Sequence, residues 1–439
     1  MVFIRSRKGL DLNLGLTKPS TTQHKEAGAL VGTDLSPFFE LALRVLVREG
    51  DRISIGEPLV EERAEPKRTI VSVCSGTVKE IRRGLKRQPL SIIVEKSSDE
   101  EKALEPIDCT NATKEQVLER IARLGLFSRI MQRPFDIPAN PTFLPQAIFV
   151  KAVDKAPGSI GFELITEKQT TLFNRGLEAL QKIAPGSVHL VSDEATPFSL
   201  FKNNASAHCH SVEGPYPVCS ASLHIAHIAP IRSLDNLIWT LDAHAVIAIG
   251  SAIDEGKCFT DRAIAVYSEG SARLISCKSG ILLSDLIANE DEGRIICGNP
   301  LTGVERTGSD PLPEDCRSVF VFPEDHSRQM LHFMRLKSGG YTATRTFFRS
   351  KKPKLSTNQN GEERPFVDGS IYDRLTPLSI PTMPLVKAVI AQDFERAKEL
   401  GLLEVAGEDF ALASFICPSK IEMIEIISSG LKIYAKQLV

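Results

Sequence analysis

The sequence lacks any apolar run near the ~18 residues that a membrane-spanning helix requires. Its longest apolar stretches, such as Ala245–Ile249, are short and broken by glycine or charge. The N-terminus, MVFIRSRKGLDL, has no apolar core of the kind a secretion signal carries, so the chain is expected to stay in the cytoplasm. There is no surplus of one charge either: 53 Lys and Arg against 55 Asp and Glu leave a formal −2, with no basic half to hold nucleic acid. No two of the nine cysteines (Cys74, Cys109, Cys209, Cys219, Cys258, Cys277, Cys297, Cys316 and Cys417) stand three residues apart. Scattered and odd in number, they read as reduced thiols rather than a disulfide framework, and they argue against a ferredoxin-type iron–sulfur motif.

What is present begins with Arg44–Val94. Val45, Val47, Ile53 and Ile55 alternate around a Gly50-Asp51 turn. A second alternating run, Ile70, Val71 and Val73, leads into Ser75-Gly76, with Val78 and Ile81 beyond. The spacing G-D-x-I-x-x-G-x-x-L, then a hairpin, then S-G-x-V-x-x-I, is that of a barrel-sandwich hybrid, the fold of biotinyl and lipoyl carriers. Carriers present a modifiable lysine between methionines at the hairpin tip. Here the tip is Glu65-Pro66-Lys67-Arg68, without methionine, which reads as a rigid hairpin with Lys67 unmodified.

The flanking chain divides by pattern. Lys8–Leu12 suggests a short strand ahead of a Thr- and Lys-rich polar loop, and the charged stretch 97–102 suggests a linker. Lys114–Leu124 has a helical stripe ended by Gly125, and four prolines between Pro134 and Pro145 favour an extended strap. From Ala147 strands and helices alternate: a strand at Ala147–Val150, a helix at Gln169–Ile183 and a strand at Val188–Val191. Ala207–Val212, Ala243–Ile253 and Ala263–Tyr267 continue the pattern, which argues a parallel, Rossmann-like sheet covered by helices. Its first strand is followed by AVDKAPGS, without the G-x-G-x-x-G cradle for a dinucleotide. Arg273–Ile296 suggests a small β-grasp (SLBB-like) unit, with a short helix at Leu282–Ile287, a turn at Glu292-Gly293 and a further strand at Val319–Phe322. Leu385–Leu400 suggests one amphipathic helix capped by Gly401, and Ile421–Leu438 another, interrupted at Ser428-Ser429-Gly430. The fold class is therefore multidomain α/β, divided as 1–100 (barrel-sandwich), 101–270 (Rossmann-like), 271–335 (β-grasp) and 336–439 (helical).

Chemistry-bearing clusters are few. His208, Cys209, His210, Cys219, His224 and His227 form the richest group. Two histidines on a strand and two on a helix could make a tetrahedral zinc site, although the spacing matches no recognised signature and no nearby carboxylate would orient the rings. No G-x-S-x-G elbow occurs. Arg82, Arg83, Lys86 and Arg87, with no aromatic between them, read as a solvated turn, contact with an acidic partner or lipid headgroups being left open. Cys417-Pro418 reads as a buried cysteine before a helix-initiating proline. No residue is assigned a catalytic, cofactor-binding or metal-ligating role.

Over nearly its full length the chain resembles the A subunits of the Na⁺-translocating NADH:quinone reductases (Na⁺-NQR). The resemblance rests on Lys8–Leu12, Ser75–Val78, Arg133-Pro134-Phe135, Glu213–Pro217, Ile238-Trp239-Thr240, Val246–Gly250 and Thr260-Asp261-Arg262. It continues through Thr344–Phe347, Tyr372–Leu378 and Cys417-Pro418. Tyr216 departs from it, since a G-P-H-P run is expected there, and so does Val218-Cys219-Ser220. The resemblance implies a peripheral component on the cytoplasmic face of the bacterial inner membrane, in a pump that oxidises NADH, reduces ubiquinone and exports Na⁺. It implies five partner subunits, the membrane-embedded B subunit foremost, with FAD, FMN, riboflavin and an iron–sulfur centre carried by them and not by this chain. A quinone contact is left open. The architecture is also similar to the flavin-binding subunit of respiratory complex I and to the C subunit of the Rnf complex. Of the latter's cysteine run only Cys417-Pro418 is kept, with Ser414 and Ala411 at the C-x-x-C positions. The alternatives are an Rnf-type C subunit, an independent biotin or lipoyl carrier modified at Lys67, or a zinc enzyme at the four histidines. Within the complex, Thr344–Phe348 with Arg345 is the expected docking strip.

Overall fold

The computed structural model describes residues 1–12, 19, 22–38, 41–97, 101–162, 165–269, 271–287, 293–327, 357–359 and 363–438. The Thr344–Phe348 strip lies outside them.

Alternating side chains in Arg44–Val94 build two small sheets around one core. Leu30–Asp34, Pro89–Lys96, Gly76–Arg83 and Arg52–Ile53 form the four-stranded sheet; Leu43–Val45, Pro58–Glu62 and Thr69–Val71 form the three-stranded one. Val31, Val78, Ile92 and Val94 from the first pack with Leu43, Val60 and Ile70 from the second. The turn at Gly50-Asp51 is fastened by the Asp51 carboxylate, which accepts the Arg48 N–H at 2.7 Å. The Leu30–Asp34 strand has no alternating pattern to mark it in the sequence, since it buries Thr33 and Asp34 as well as Val31.

The second unit is a seven-stranded sheet ordered Phe3–Arg5, His208–Glu213, Val188–Asp193, Ala147–Ala152, Ile238–Asp242, Met131–Arg133, Ile137–Pro138. The first five strands are parallel, Met131–Arg133 pairs antiparallel with Ile238–Asp242, and Ile137–Pro138 pairs antiparallel with Met131–Arg133. Ala147–Val150 is buried throughout, as a strand covered on both faces must be. Helices Lys114–Arg123, Glu167–Ile183 and Ala243–Asp254 cover one face. Thr113 with Gln116 and Thr166 with Gln169 close capping boxes on the first two, and the Asp242 carboxylate caps the third. The other face is covered by Ala221–Ile228 and by the C-terminal helices Thr382–Ile390, Phe394–Glu399 and Met423–Gln437.

A third, six-stranded sheet contains Asp261–Ser268, Ser271–Lys278, Arg294–Cys297, Val304–Arg306 and Ser318–Phe322, with Thr22–His24 from the N-terminal region at its edge.

Five expectations are corrected. The N-terminal strand is Phe3–Arg5, while Lys8–Leu12 is irregular and packs on the Tyr216 loop, Leu10 donating to the Tyr216 carbonyl at 2.8 Å. Ala263–Tyr267 does not continue the α/β alternation: it pairs antiparallel with Ser271–Lys278 and parallel with Ser318–Phe322, a choice of partner that local pattern cannot encode. Leu385–Leu400 is two helices, because Gln392 takes a left-handed φ of 56° and the Asp393 side chain starts a new first turn by accepting from Arg396. Met423–Gln437 runs unbroken through Ser428–Gly430, since Gly430 is needed where the helix meets Val389. Pro418 does not open a helix; it sits in the turn between Ala411–Ile416 and Met423–Gln437.

Candidate functional site

In parallel α/β sheets the loops leaving the carboxyl ends of the strands diverge and leave a crevice. Here that crevice is a cavity of about 490 Å³ lined by Asp154–Ser159, Gly161 and Phe162 after Ala147–Ala152, by Asp193, Ala195 and Thr196 after Val188–Asp193, and by Asp11. Its charges are largely satisfied within the chain. Lys155 Nζ pairs with Asp193 Oδ2 at 2.8 Å and donates to the Gly214 carbonyl at 3.3 Å. Arg317, from the third sheet, stacks over the Phe162 ring at 4.1 Å, donates to the Gly161 carbonyl and lies 4.0 Å from Asp154. Burial pushes the Asp242 carboxyl up, but Arg129, His244 and Arg317 outweigh it and hold the group below the usual carboxylate range. The Glu167–Ile183 helix does not follow the Ala147–Ala152 strand directly, and the first-turn N–H of Gln169 is taken by Thr166 Oγ1 at 3.3 Å. A phosphate would therefore find neither a glycine cradle nor an uncapped helix start directly after the strand.

A second polar centre joins the sheet to the C-terminal helices. Arg133 is fully buried and donates to Ser222 Oγ at 2.9 Å and to the Glu404 carbonyl at 3.1 Å. Ser220 Oγ donates to Asp409 Oδ1, and the other Asp409 oxygen accepts the Ala406 N–H at 2.8 Å. Burial raises the Asp136 and Asp409 carboxyls, against the lowering pull of Arg133. Nearby, Lys151 and Glu408 are 3.7 Å apart, and that carboxylate holds the Lys151 ammonium above its usual range.

The four histidines of the zinc expectation do not converge. His224 is buried on Ala221–Ile228 and donates through Nε2 to the Val218 carbonyl at 2.9 Å; burial pushes it down to about 3. His227 bonds the Leu223 carbonyl of its own helix, and His208 the Gly186 carbonyl. His210 instead meets His189 of the neighbouring strand, Nε2 to Nδ1, at 3.1 Å. Among the described residues no group of three or more His, Cys, Asp or Glu is placed to hold a metal ion. Because the Val2 N–H donates to His210 Nδ1 at 3.1 Å, His210 carries its proton on Nε2 and donates it to His189.

Both rings are pushed down to about 4, first by burial and then by neighbouring positive charge. The fold thus needs them neutral. A depressed histidine contributes stability that is complete above the ordinary value of 6.5 and is lost as pH falls towards 4. The melting temperature is expected to fall on acidification through that window, and the fall should shrink in a His189→Gln/His210→Gln variant. An unchanged acid slope in that variant would remove the imidazole pair as the cause.

The lysine hairpin is not built to swing. Thr142 Oγ1 donates to Glu65 Oε2 at 2.6 Å, Arg68 donates to the Pro138 carbonyl at 2.9 Å and pairs with Glu62, and Thr69 Oγ1 donates to the Ala122 carbonyl at 3.0 Å. The tip is pinned to the α/β unit, although Lys67 itself is exposed. Tyr216 is buried: its N–H donates to Asp11 Oδ1 at 2.9 Å and its hydroxyl accepts from Asn299 at 3.0 Å, so the departure at this position is a joint between parts of the chain. The buried Cys417 thiol lies 3.2 Å from the Tyr372 hydroxyl. Sequence reasoning missed Lys155, Asp193 and His189. The crevice rule applied to the residues just after each strand would have found the first two; no local signal marks Arg317.

The comparisons agree with this architecture. The description "NqrA N-terminal barrel-sandwich hybrid domain" matches residues 4–97, and "NqrA second alpha/beta domain" matches residues 112–258. The A subunit of the Na(+)-translocating NADH-quinone reductase of Chlamydia caviae is 37% identical, covering 98% of this chain and 96% of that protein. The chain belongs to the family of A subunits of the Na⁺-translocating NADH-quinone reductases. Within the family, the Chlamydia muridarum protein is 36% identical over 100% of this chain and 99% of its own length, and the Yersinia pestis protein 29% over 96% of each. A solved NAD⁺-reducing [NiFe]-hydrogenase chain overlaps 73% of this chain and 60% of its own at a TM-score of 0.39 and 12% identity, too distant to bear on function. The two family domains correspond to the first two sheet units, so the barrel-sandwich and second α/β assignments stand on both sequence and structure.

Proposed function

We propose that this chain works as a peripheral, cofactor-free scaffold of the redox-driven pump that oxidises NADH, reduces ubiquinone and exports Na⁺. Full-length similarity to proteins named as the A subunit of that reductase carries the reading. The flavins and the iron–sulfur centre would then reside on the five partner subunits, with the membrane-embedded B subunit as the main dock at the cytoplasmic face. One observation supports a structural role: the crevice cation Lys155 is engaged inside the chain, by Asp193 and the Gly214 carbonyl. On this reading the α/β unit is Rossmann-like and the third sheet β-grasp (SLBB-like).

Tagged chain recovered from membranes should bring down five further subunits and NADH-driven quinone reduction, while the chain purified alone should have no absorption above the aromatic band and an intact mass without biotin or lipoate. A stoichiometric flavin spectrum in the isolated chain, or recovery without partners, would overturn the proposal.

A further inference from the structure

We propose that the tip of the Gly76–Arg83/Pro89–Lys96 hairpin rests on anionic phospholipid headgroups, Leu85 entering the headgroup layer while Arg83, Lys86 and Arg87 pair with phosphate. The idea rests on the reading of the chain as a peripheral component of a membrane complex. Leu85 is 90% exposed, the most exposed large apolar side chain among the described residues. Arg83, Lys86 and Arg87 around it are exposed as well. From Lys79 to Arg87 the chain carries five cations and one carboxylate, although the whole chain is formally −2. That carboxylate, Glu80, is taken by Arg82, which also lies 3.6 Å from Asp310 and donates to the Ser309 carbonyl at 2.7 Å. Among the described residues the tip itself therefore keeps an uncompensated positive charge.

The backbone holds these groups outward at a cost. Lys86 and Arg87 sit at φ 54° and 60°, the left-handed region where a loop that needed only to turn would use glycine or asparagine. The Gly84 N–H donates to the Gln88 carbonyl at 2.8 Å, and the Arg83 guanidinium to the Arg87 carbonyl at 3.1 Å, which fixes the conformation. An apolar point ringed by cations matches a lipid surface, with phosphate outside and the acyl boundary just below. An acidic protein face would satisfy the cations but would offer Leu85 no apolar layer. Each cation near an anionic surface strengthens binding about fivefold, so the tip orients the chain and does not anchor it.

Partition of the full-length chain onto phosphatidylcholine vesicles, with and without phosphatidylglycerol, tests this. Binding should favour the anionic vesicles, weaken with salt, and resist competition by inorganic phosphate at matched ionic strength. Lys86→Gln/Arg87→Gln should weaken it roughly 25-fold and Leu85→Ser by several-fold, with unchanged melting. Equal binding to both vesicle types, no binding to either, or a double variant that binds like the parent would overturn the proposal. So would a double variant that keeps vesicle binding but loses its partner subunits, since the tip would then face an acidic protein. Loss of partner recovery by the unmodified chain would instead sink the complex reading and leave the vesicle result standing.

Discussion

Arg133→Met is expected to destabilise the protein by about 3–5 kcal/mol, lowering the melting temperature by roughly 5 °C. Methionine fills similar space, so the cost is electrostatic. The guanidinium is fully buried, its donors hold Ser222 and the Glu404 carbonyl, and its charge is the strongest of those that oppose the burial of Asp136 and Asp409. Removing one side of a buried charge arrangement leaves the other uncompensated, which costs more than the arrangement contributes when whole. The damage should concentrate at the seam between the sheet and the C-terminal helices, where Glu404 and Asp409 lie. Asp409→Asn in the same chain should recover part of the loss, a coupling that a double-mutant cycle reads directly. Additive losses would show that the two residues act independently.

The second large effect runs against helix propensity. Exchanging a mid-helix glycine for alanine ordinarily stabilises by about 1 kcal/mol, yet Gly250→Ala should destabilise by ~3 kcal/mol or more, at the upper end of overpacking costs. Gly250 lies on Ala243–Asp254 where that helix crosses Glu167–Ile183. A Cβ there would stand 1.8 Å from the Leu172 carbonyl oxygen, and one at Gly176 would stand 2.1 Å from the Val246 carbonyl oxygen. The two glycines thus face backbone across one contact. Backbone cannot rotate away as a side chain can, so the helices must separate and loosen the core beneath Leu172, Phe173, Val246 and Ile249. Gly308→Ala serves as control, because its nearest neighbour would be a Ser284 side-chain carbon at 3.5 Å. If Gly250→Ala melts above the parent, the close crossing is not what the protein uses.

How much of this was legible beforehand depended on whether the signal was local. Period-two alternation from Val45 to Ile81 announced the sandwich, because a sheet with one buried face writes its inside and outside into neighbouring residues. The apolar run Ala147–Val150 and the helical stripe of Gln169–Ile183 marked the parallel sheet and its helices for the same reason. The missing glycine fingerprint and the unpaired cysteines were equally plain. The histidine group misled because proximity in sequence stood in for proximity in space. His208 and His210 do share a strand face, but the ring that meets His210 is His189, one strand away, and His224 and His227 are spent on carbonyl groups near them.

The sequence by itself therefore determined the main strands and helices of the α/β unit, the barrel-sandwich unit and the family resemblance, since each follows from residues close together along the chain or from motifs in a fixed order. Only the tertiary structure decided that Asp261–Ser268 joins the third sheet, that Arg317 reaches the crevice from that sheet, and that the Lys67 hairpin is pinned by Thr142 and Pro138. Those outcomes turn on which surfaces meet. Strand pairing and the burial of a charge are settled by competition among all available partners, and a stretch of sequence carries no record of the competitors it will face.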